Sequence, residues 1–262
     1  MSEWDPDLYL RHADDRGRPF LDLLARVDVT PYSIVDLGCG PGQLTPVLLD
    51  RWPHAMILGV HSSAQMIEAA IGRDDGPSVS YVQADAATWE PAAPVDLIVS
   101  NAMFQWVPDQ LGVIRRLASH VAPGGAFALQ VPNNVDAPSH VLLRGIASRA
   151  PYAEHTTGIH QPRGTDPQAY VELFAGISDG LGWSVDVWST TYLHVLEGED
   201  PAFSWISGTG ARPVLQALPD DLRQRFVEEC KAALREAYPA EAWGTLFPFT
   251  RVFAVAERLD WR

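Results

Sequence analysis

Short apolar runs rich in β-branched residues alternate with helical stripes along the first half of the chain. Residues 33–37, 55–60, 79–83, 95–100 and 127–131 each have the length and composition of a buried strand. Between them, Leu44, Val47, Leu48 and Trp52 recur at helical spacing, residues 66–71 continue a second helix, and 111–121 form a third. Pro46 is tolerated because it falls in a first turn. The run 95–100 is almost wholly apolar, as a central parallel strand should be. A turn is expected at Pro123-Gly124-Gly125. Strand and helix alternating in this way predict right-handed crossovers and a doubly wound, mostly parallel sheet. Upstream, residues 4–28 read as helical with a break. Pro19 then sits in the first turn of 20–27, and Arg16 and Arg18 are solvated charges at the break.

The alternation stops after residue 131. Residues 138–182 read as two helices joined by a polar loop at 158–165, and 201–238 as a further helical insertion. Two β-rich runs, 184–195 and 245–256, bring the strands to seven. The expected architecture is one α/β domain, a Rossmann-like seven-stranded sheet with helical lid insertions. Its core covers about 30–135, 184–195 and 245–257, and its lid about 1–29, 136–183 and 196–244. Gly176-Ile177-Ser178-Asp179-Gly180 fits a nucleophile-elbow pattern. That elbow must follow a strand and precede a helix, whereas here a helical stripe precedes and a strand follows, so the match is discarded.

Composition narrows the chemistry. With 47% apolar residues the chain can bury a sizeable core. No apolar run approaches a membrane span and the N-terminus lacks the marks of a signal peptide, so a cytoplasmic protein is expected. Two cysteines make no disulfide framework, and no His or Cys spacing fits a zinc site. The net charge of −14 would repel a phosphate backbone, which argues against nucleic acid as a partner. It also disfavours small anions at long range, so an anionic substrate would need arginines gathered in a pocket. Lys231 is the single lysine, leaving arginine nearly all the cationic work.

The chemistry concentrates after the first strand. Asp36, Gly38, Gly40 and Gly42 close that strand in a loop where the backbone must take positive φ or meet a ligand closely. A dinucleotide fingerprint would need Gly or Ala where Gln43 stands, and the Lys-Ser/Thr of a P-loop is absent. The D-x-G-x-G-x-G spacing resembles instead the first motif of the class I S-adenosylmethionine-dependent methyltransferases. Cys39, within it, reads as a small packing residue. At the end of the second strand, where an acid usually meets the ribose, stands His61: a ribose ligand able to give or accept one hydrogen bond, or an ordinary surface histidine. Asp85, directly after the third strand, is a candidate acceptor for the adenine amino group or else a helix N-cap. The fourth strand runs into 101–108, polar and aromatic together, which suits a substrate pocket.

End to end, the chain resembles the family of trans-aconitate 2-methyltransferases. The narrower signals are Ser100-Asn-Ala-Met-Phe-Gln-Trp-Val-Pro108 and Gly208-Thr-Gly-Ala-Arg-Pro213, joined by Arg16-Gly-Arg-Pro19, Gln130-Val-Pro-Asn133 and Arg251-Val-Phe253. His61 departs from the family pattern, where an aspartate is expected. The resemblance implies S-adenosylmethionine held by Asp36, Gly38, Cys39, Gly40, Gly42, Gln43, His61, Ser62, Asp85, Ala86 and Asn101. It implies a small polycarboxylic acid as methyl acceptor. An ionised carboxylate needs no general base, so no catalytic side chain is expected beyond those that hold the reactants in line. Arg212 and Arg251 are nominated as carboxylate clamps, with Arg18 and Arg163 behind them, because arginine binds carboxylates bidentately. Tyr9, Gln105, Trp106, His140 and Tyr192 are expected to shape the pocket. Two other readings stand beside this one: the same fold with another acceptor, and a non-catalytic cofactor-binding module.

Overall fold

The computed structural model describes residues 13–159, 164–178 and 180–260. Tyr9, Arg163, Asp179 and the first part of the expected N-terminal helix lie outside them. The chain divides into two compact units. One, the sheet unit, contains Asp14–Pro132, Thr165–Thr190 and the segment from Arg251 onward; the other, helix-rich, contains Asn133–Gly164 and Thr191–Thr250.

In the sheet unit, helix α1 (Ala13–Leu24) is followed by β1 (Ser33–Leu37), α2 (Thr45–Arg51), β2 (Met56–His61), α3 (Ala64–Ile71) and β3 (Val79–Gln83). Then come β4 (Val95–Asn101), a 3-10 turn (Phe104–Trp106), α4 (Gln110–Ala118) and β5 (Val121–Pro132). The helix-rich unit holds α5 (Pro138–Ala147) and α6 (Ala153–Thr156), and α7 (Pro167–Ala175) returns to the sheet unit. The remainder is β6 (Trp183–Leu196), α8 (Pro201–Ser207), α9 (Arg212–Ala217), α10 (Asp220–Ala237), β7 (Ala240–Glu241) and β8 (Gly244–Arg258).

The strands run in the order β3-β2-β1-β4-β5-β8-β6, with β7 paired to β8. Pairings from β3 through β5 are parallel, and β5–β8 is antiparallel. The sheet therefore has eight strands rather than seven, the extra one being the two-residue β7, which pairs with Gly244 and Thr245 across a turn at residues 242 and 243. The order reverses beside β1, so the loops after β1 and β4 flank one crevice at the strand C-termini, the place where open α/β sheets bind ligands.

Three expectations need correction. Pro19 does not break the first helix: α1 continues through it, because Pro19, Phe20, Leu23 and Leu24 are all buried and their packing outweighs the lost backbone bond. Pro123 to Gly125 do not form a turn before a strand at 127; β5 already pairs at Val121, and residues 122–125 bulge opposite Asp96 alone. Gly125 is required there, since a methyl group would stand 2.6 Å from the Asp96 carbonyl oxygen. Asp96 in turn fastens β1, its Oδ2 accepting from the N–H groups of Tyr32 and Ser33 and from Ser33 Oγ, each at 2.9 Å. Third, α1 and α7 were expected in the lid, yet both belong to the sheet unit. Tyr170, Leu173 and Phe174 of α7 share a core with Ile98, Phe127, Leu129 and, from α4, Ile114 and Leu117.

The helix-rich unit has its own core around Trp205, Phe247, Phe226, Leu143 and Tyr152. The first of the two helices expected in 138–182 ends at Ser148 and is followed by the short α6, and the expected helical insertion 201–238 is broken at Gly208 and Leu218 into α8, α9 and α10. Among the described residues no helix is long and apolar enough to cross a membrane, and no group of His, Cys, Asp and Glu could hold a metal ion.

Candidate functional site

The loop from Gly38 to Leu44 leaves β1 and enters α2. It is hooked to β2 at once, because Gly38 N and Cys39 N both donate to Val60 O at 2.8 and 3.2 Å. Gly38, Gly40 and Gly42 all take positive φ, +86°, +58° and +76°. Space is as restrictive as angle: a methyl on Gly38 would lie 2.5 Å from Met103 Cγ, and one on Gly42 2.7 Å from the Tyr81 hydroxyl. Cys39 is buried and free, and burial pushes its thiol far up, which suits packing and not nucleophilic work.

Beneath the loop, Asp36 is 3% exposed and its Oδ2 has no hydrogen-bond donor among the described residues; Gln43 Oε1 is a second buried oxygen in the same condition. Burial raises Asp36 from its ordinary 3.8 to about 7. A half-satisfied carboxylate is costly in a low-dielectric pocket, and the partner that removes the cost is a cationic donor. The residues present therefore fit a ligand carrying an ammonium group against bare backbone.

His61 ends β2. Its Nδ1 accepts from Ser63 N at 2.9 Å, and burial lowers its pKa to about 4. The ring is thus neutral with its proton on Nε2, so toward a ribose it donates one bond and accepts none. His61→Asp should tighten S-adenosylhomocysteine binding by about tenfold, through one added carboxylate bond of on the order of 1.5 kcal/mol. Titration calorimetry of the two proteins decides it, and equal affinities would mean that this strand end does not face the ribose.

Ser62 O accepts from Gln83 Nε2 at 3.2 Å, tying the ends of β2 and β3. Asp85 is exposed, and its Oδ1 accepts from Ala87 N at 2.9 Å, closing a turn; no helix begins there, so it is not a helix N-cap. The carbonyl of Ala86, with those of Ala87 and Trp89, is held by the Arg116 guanidinium from α4.

At the end of β4, Asn101 Oδ1 accepts from Gln130 Nε2 at 2.5 Å, and Gln130 Oε1 accepts from Arg251 Nη1 at 3.1 Å. Arg251 is 4% exposed and Gln130 fully buried. Ala102 follows with φ +55°, an uncommon angle for a residue with a Cβ, and its carbonyl accepts from Gln105 Nε2 at 2.6 Å. Gln105 is 6% exposed and its Oε1 has no hydrogen-bond partner among the described residues, while Trp106 is half-buried.

Of the nominated substrate residues, Arg251, Gln105, Trp106 and Arg18 belong to the sheet unit, Arg18 exposed on α1. Arg212, His140 and Tyr192 belong to the helix-rich unit. Arg212 opens α9, half-buried, and Tyr192 is buried on β6. His140 bonds Ser139 Oγ through Nδ1 at 3.1 Å, and burial, then the Arg144 charge, lower its pKa to about 4.

Sequence reasoning missed Tyr81, Gly59 and Gln130. Tyr81 lies over Gly59, where a methyl group would stand 2.4 Å from its ring, and its hydroxyl donates to Asp75 Oδ2 at 2.6 Å and pairs with Thr45 Oγ1 at 3.0 Å. The phenol thereby buttresses the loop at Gly42. A glycine inside a strand was the available signal.

A glycine loop after the central strand, polar residues at the neighbouring strand ends and this strand order are those of a methyltransferase domain, and the model of that domain family matches residues 9–163. The chain is 48% identical over 267 residues to trans-aconitate 2-methyltransferase of Streptomyces avermitilis, covering 98% of each. It is 43% identical over 260 residues to the enzyme of the same name from Methylobacterium nodulans, covering 98% and 99%. The chain belongs to the family of these methyltransferases. Among solved structures, the YcgJ protein of Bacillus subtilis shares the fold at a TM-score of 0.57 and 17% identity, covering 96% of this chain and all of that one. The plantazolicin methyltransferase BamL, solved with S-adenosylhomocysteine (SAH), does so at 0.54 and 13%, covering 96% and 90%.

Proposed function

We propose that the protein transfers the methyl group of S-adenosylmethionine to a carboxylate of trans-aconitate, yielding a monomethyl ester and S-adenosylhomocysteine. The observation that carries this reading is the identity of 48% across 98% of both chains, which extends through the helix-rich unit and far beyond what a shared fold requires. The site supports it. The buried oxygens of Asp36 and Gln43 would take the cofactor's ammonium group, His61 Nε2 a ribose oxygen, and Asp85, through its remaining oxygen, the adenine amino group. When bound, the cofactor supplies an electrophilic methyl group on a sulfonium. The acceptor carboxylate is ionised at neutral pH, so the chain need not remove a proton. Its work is to hold, orient and keep water from the reactants.

Arg251 is the leading clamp, a buried guanidinium within the sheet unit. Arg212, Arg18 and Arg163 are the other proposed cations, and Tyr9, Gln105, Trp106, His140 and Tyr192 the proposed lining. The reading is of a cytoplasmic enzyme acting on a small molecule, with both cysteines free and buried as a reducing compartment allows.

The test is a methyl-transfer assay over small di- and tricarboxylic acids with the esters identified by mass spectrometry. Trans-aconitate should give the highest kcat/KM; turnover only with an alcohol or amine would replace it. In the same assay Arg212→Ala should raise the KM for the acid about tenfold or more while the affinity for S-adenosylhomocysteine stays as in the parent. Unchanged kinetics would remove Arg212 from the site.

A further inference from the structure

The bonds joining Asn101, Gln130 and Arg251 cross three adjacent strands, β4, β5 and β8, in register: Asn101 faces Gln130, and Gln130 faces Phe253, two residues from Arg251. Their chemistry leaves one polarity. A guanidinium can only donate, so the atom of Gln130 toward Arg251 must be its oxygen. The amide nitrogen of Gln130 then faces Asn101, and the atom receiving it must be Oδ1. Asn101 consequently keeps its NH2 for an outside acceptor. Gln130 is 0% exposed, so solvent offers its amide no alternative partner.

We propose that Gln130 is a positioning residue: it transmits the donor-only character of Arg251 to Asn101 and so makes Asn101 present a hydrogen-bond donor, never an acceptor, to the cofactor. The inference rests on Asn101 as a cofactor contact. It couples the residue read as the substrate clamp to the affinity of the other ligand through two side-chain bonds. Any loss of the Arg251 guanidinium frees both amides to reverse.

Gln130→Glu tests it. The carboxylate keeps its bond to Arg251 but offers Asn101 only an acceptor, so Asn101 must turn its NH2 inward and show Oδ1 outward. Titration calorimetry with S-adenosylhomocysteine should show affinity falling about tenfold while the thermal midpoint of the ligand-free protein holds or rises. Full affinity in this variant overturns the proposal. Asn101→Asp is the second variant, since it presents an acceptor without disturbing Gln130 or Arg251. The expected order of affinity is parent, then Asn101→Ala, then Asn101→Asp; an Asn101→Asp protein that binds as tightly as the parent, or more tightly than Asn101→Ala, sinks the idea even if Gln130→Glu does not fold. Neither measurement involves the acid, so failure to methylate trans-aconitate would leave these outcomes separately readable.

Discussion

Valine in place of Gly38 abolishes detectable S-adenosylhomocysteine binding and methyl transfer, a loss of at least about a hundredfold in affinity. Two costs coincide at this position. The backbone sits at φ +86°, where a β-branched residue is strained by about 1–3 kcal/mol. The new Cβ would also stand 2.5 and 2.6 Å from Cγ and Cβ of Met103. Cβ cannot retreat by a rotamer change alone, and Met103 is held in the turn between Ala102 and Phe104. The loop must therefore give way, and a hundredfold loss needs only about 2.7 kcal/mol. Gly158→Ala is the matched control. Its φ is +81°, yet among the described residues nothing lies within 4 Å of an added methyl group. That variant should lose about 1 kcal/mol of stability and no cofactor affinity. Calorimetric titration and thermal unfolding of both variants separate strain from steric exclusion; near-parental binding by Gly38→Val would show that the ligand does not lie along this loop.

Asp36→Asn should remove a pH dependence of folding that is present in the ligand-free parent. Burial lifts the folded-state pKa of Asp36 from 3.8 to about 7. Between those values the native state holds a proton that the unfolded chain has lost, so stability falls as pH rises from about 4 to about 7. The full difference is on the order of 4 kcal/mol. His61 and His140 act with the opposite sign. Each has a folded-state pKa near 4 against an ordinary 6.5, so their contribution grows as pH rises across that window. The parent curve alone therefore mixes these groups with others, among them Asp200 and Glu229, whose pKa values are lowered by bonded partners, and the difference between parent and Asp36→Asn isolates one. Denaturant unfolding from pH 4 to 8 should show the variant gaining on the parent steadily, then levelling above pH 7. A cation bound beside Asp36 would also expel its proton. Binding at about pH 6 should accordingly release close to one proton in the parent and far less in the variant, read from the buffer dependence of the binding enthalpy. Parallel stability curves together with no proton release would remove Asp36 from the cofactor pocket.

The helix α1 shows why some of the fold was hidden in the sequence. Pro19 signals a boundary locally, but burial of Phe20, Leu23 and Leu24 is a tertiary gain that the local signal does not contain. The same holds at residues 122–125: a proline and two glycines are turn residues by composition, and only pairing of Val121 with Val95 turns them into a bulge. For the site, Asp36 and the three glycines were legible because positive φ and close approach are demands on the residues themselves. Tyr81 was not legible, since its role depends on the register that sets it against Gly59 and carries its hydroxyl to Gly42.

By itself, then, the amino-acid order determined where the first four strands run, that the first of them breaks into a glycine loop, and which family the chain resembles. Each of these is set within a few residues by periodicity, β-branching and the lack of a Cβ. Only the tertiary structure decided that Asp36 Oδ2 lies buried with no donor among the described residues, that His61 Nδ1 is taken by Ser63 N, and that Gln130 joins Arg251 to Asn101. Those are properties of partners far apart in the chain, and a hydrogen bond acquires its direction only when both of its ends are in place.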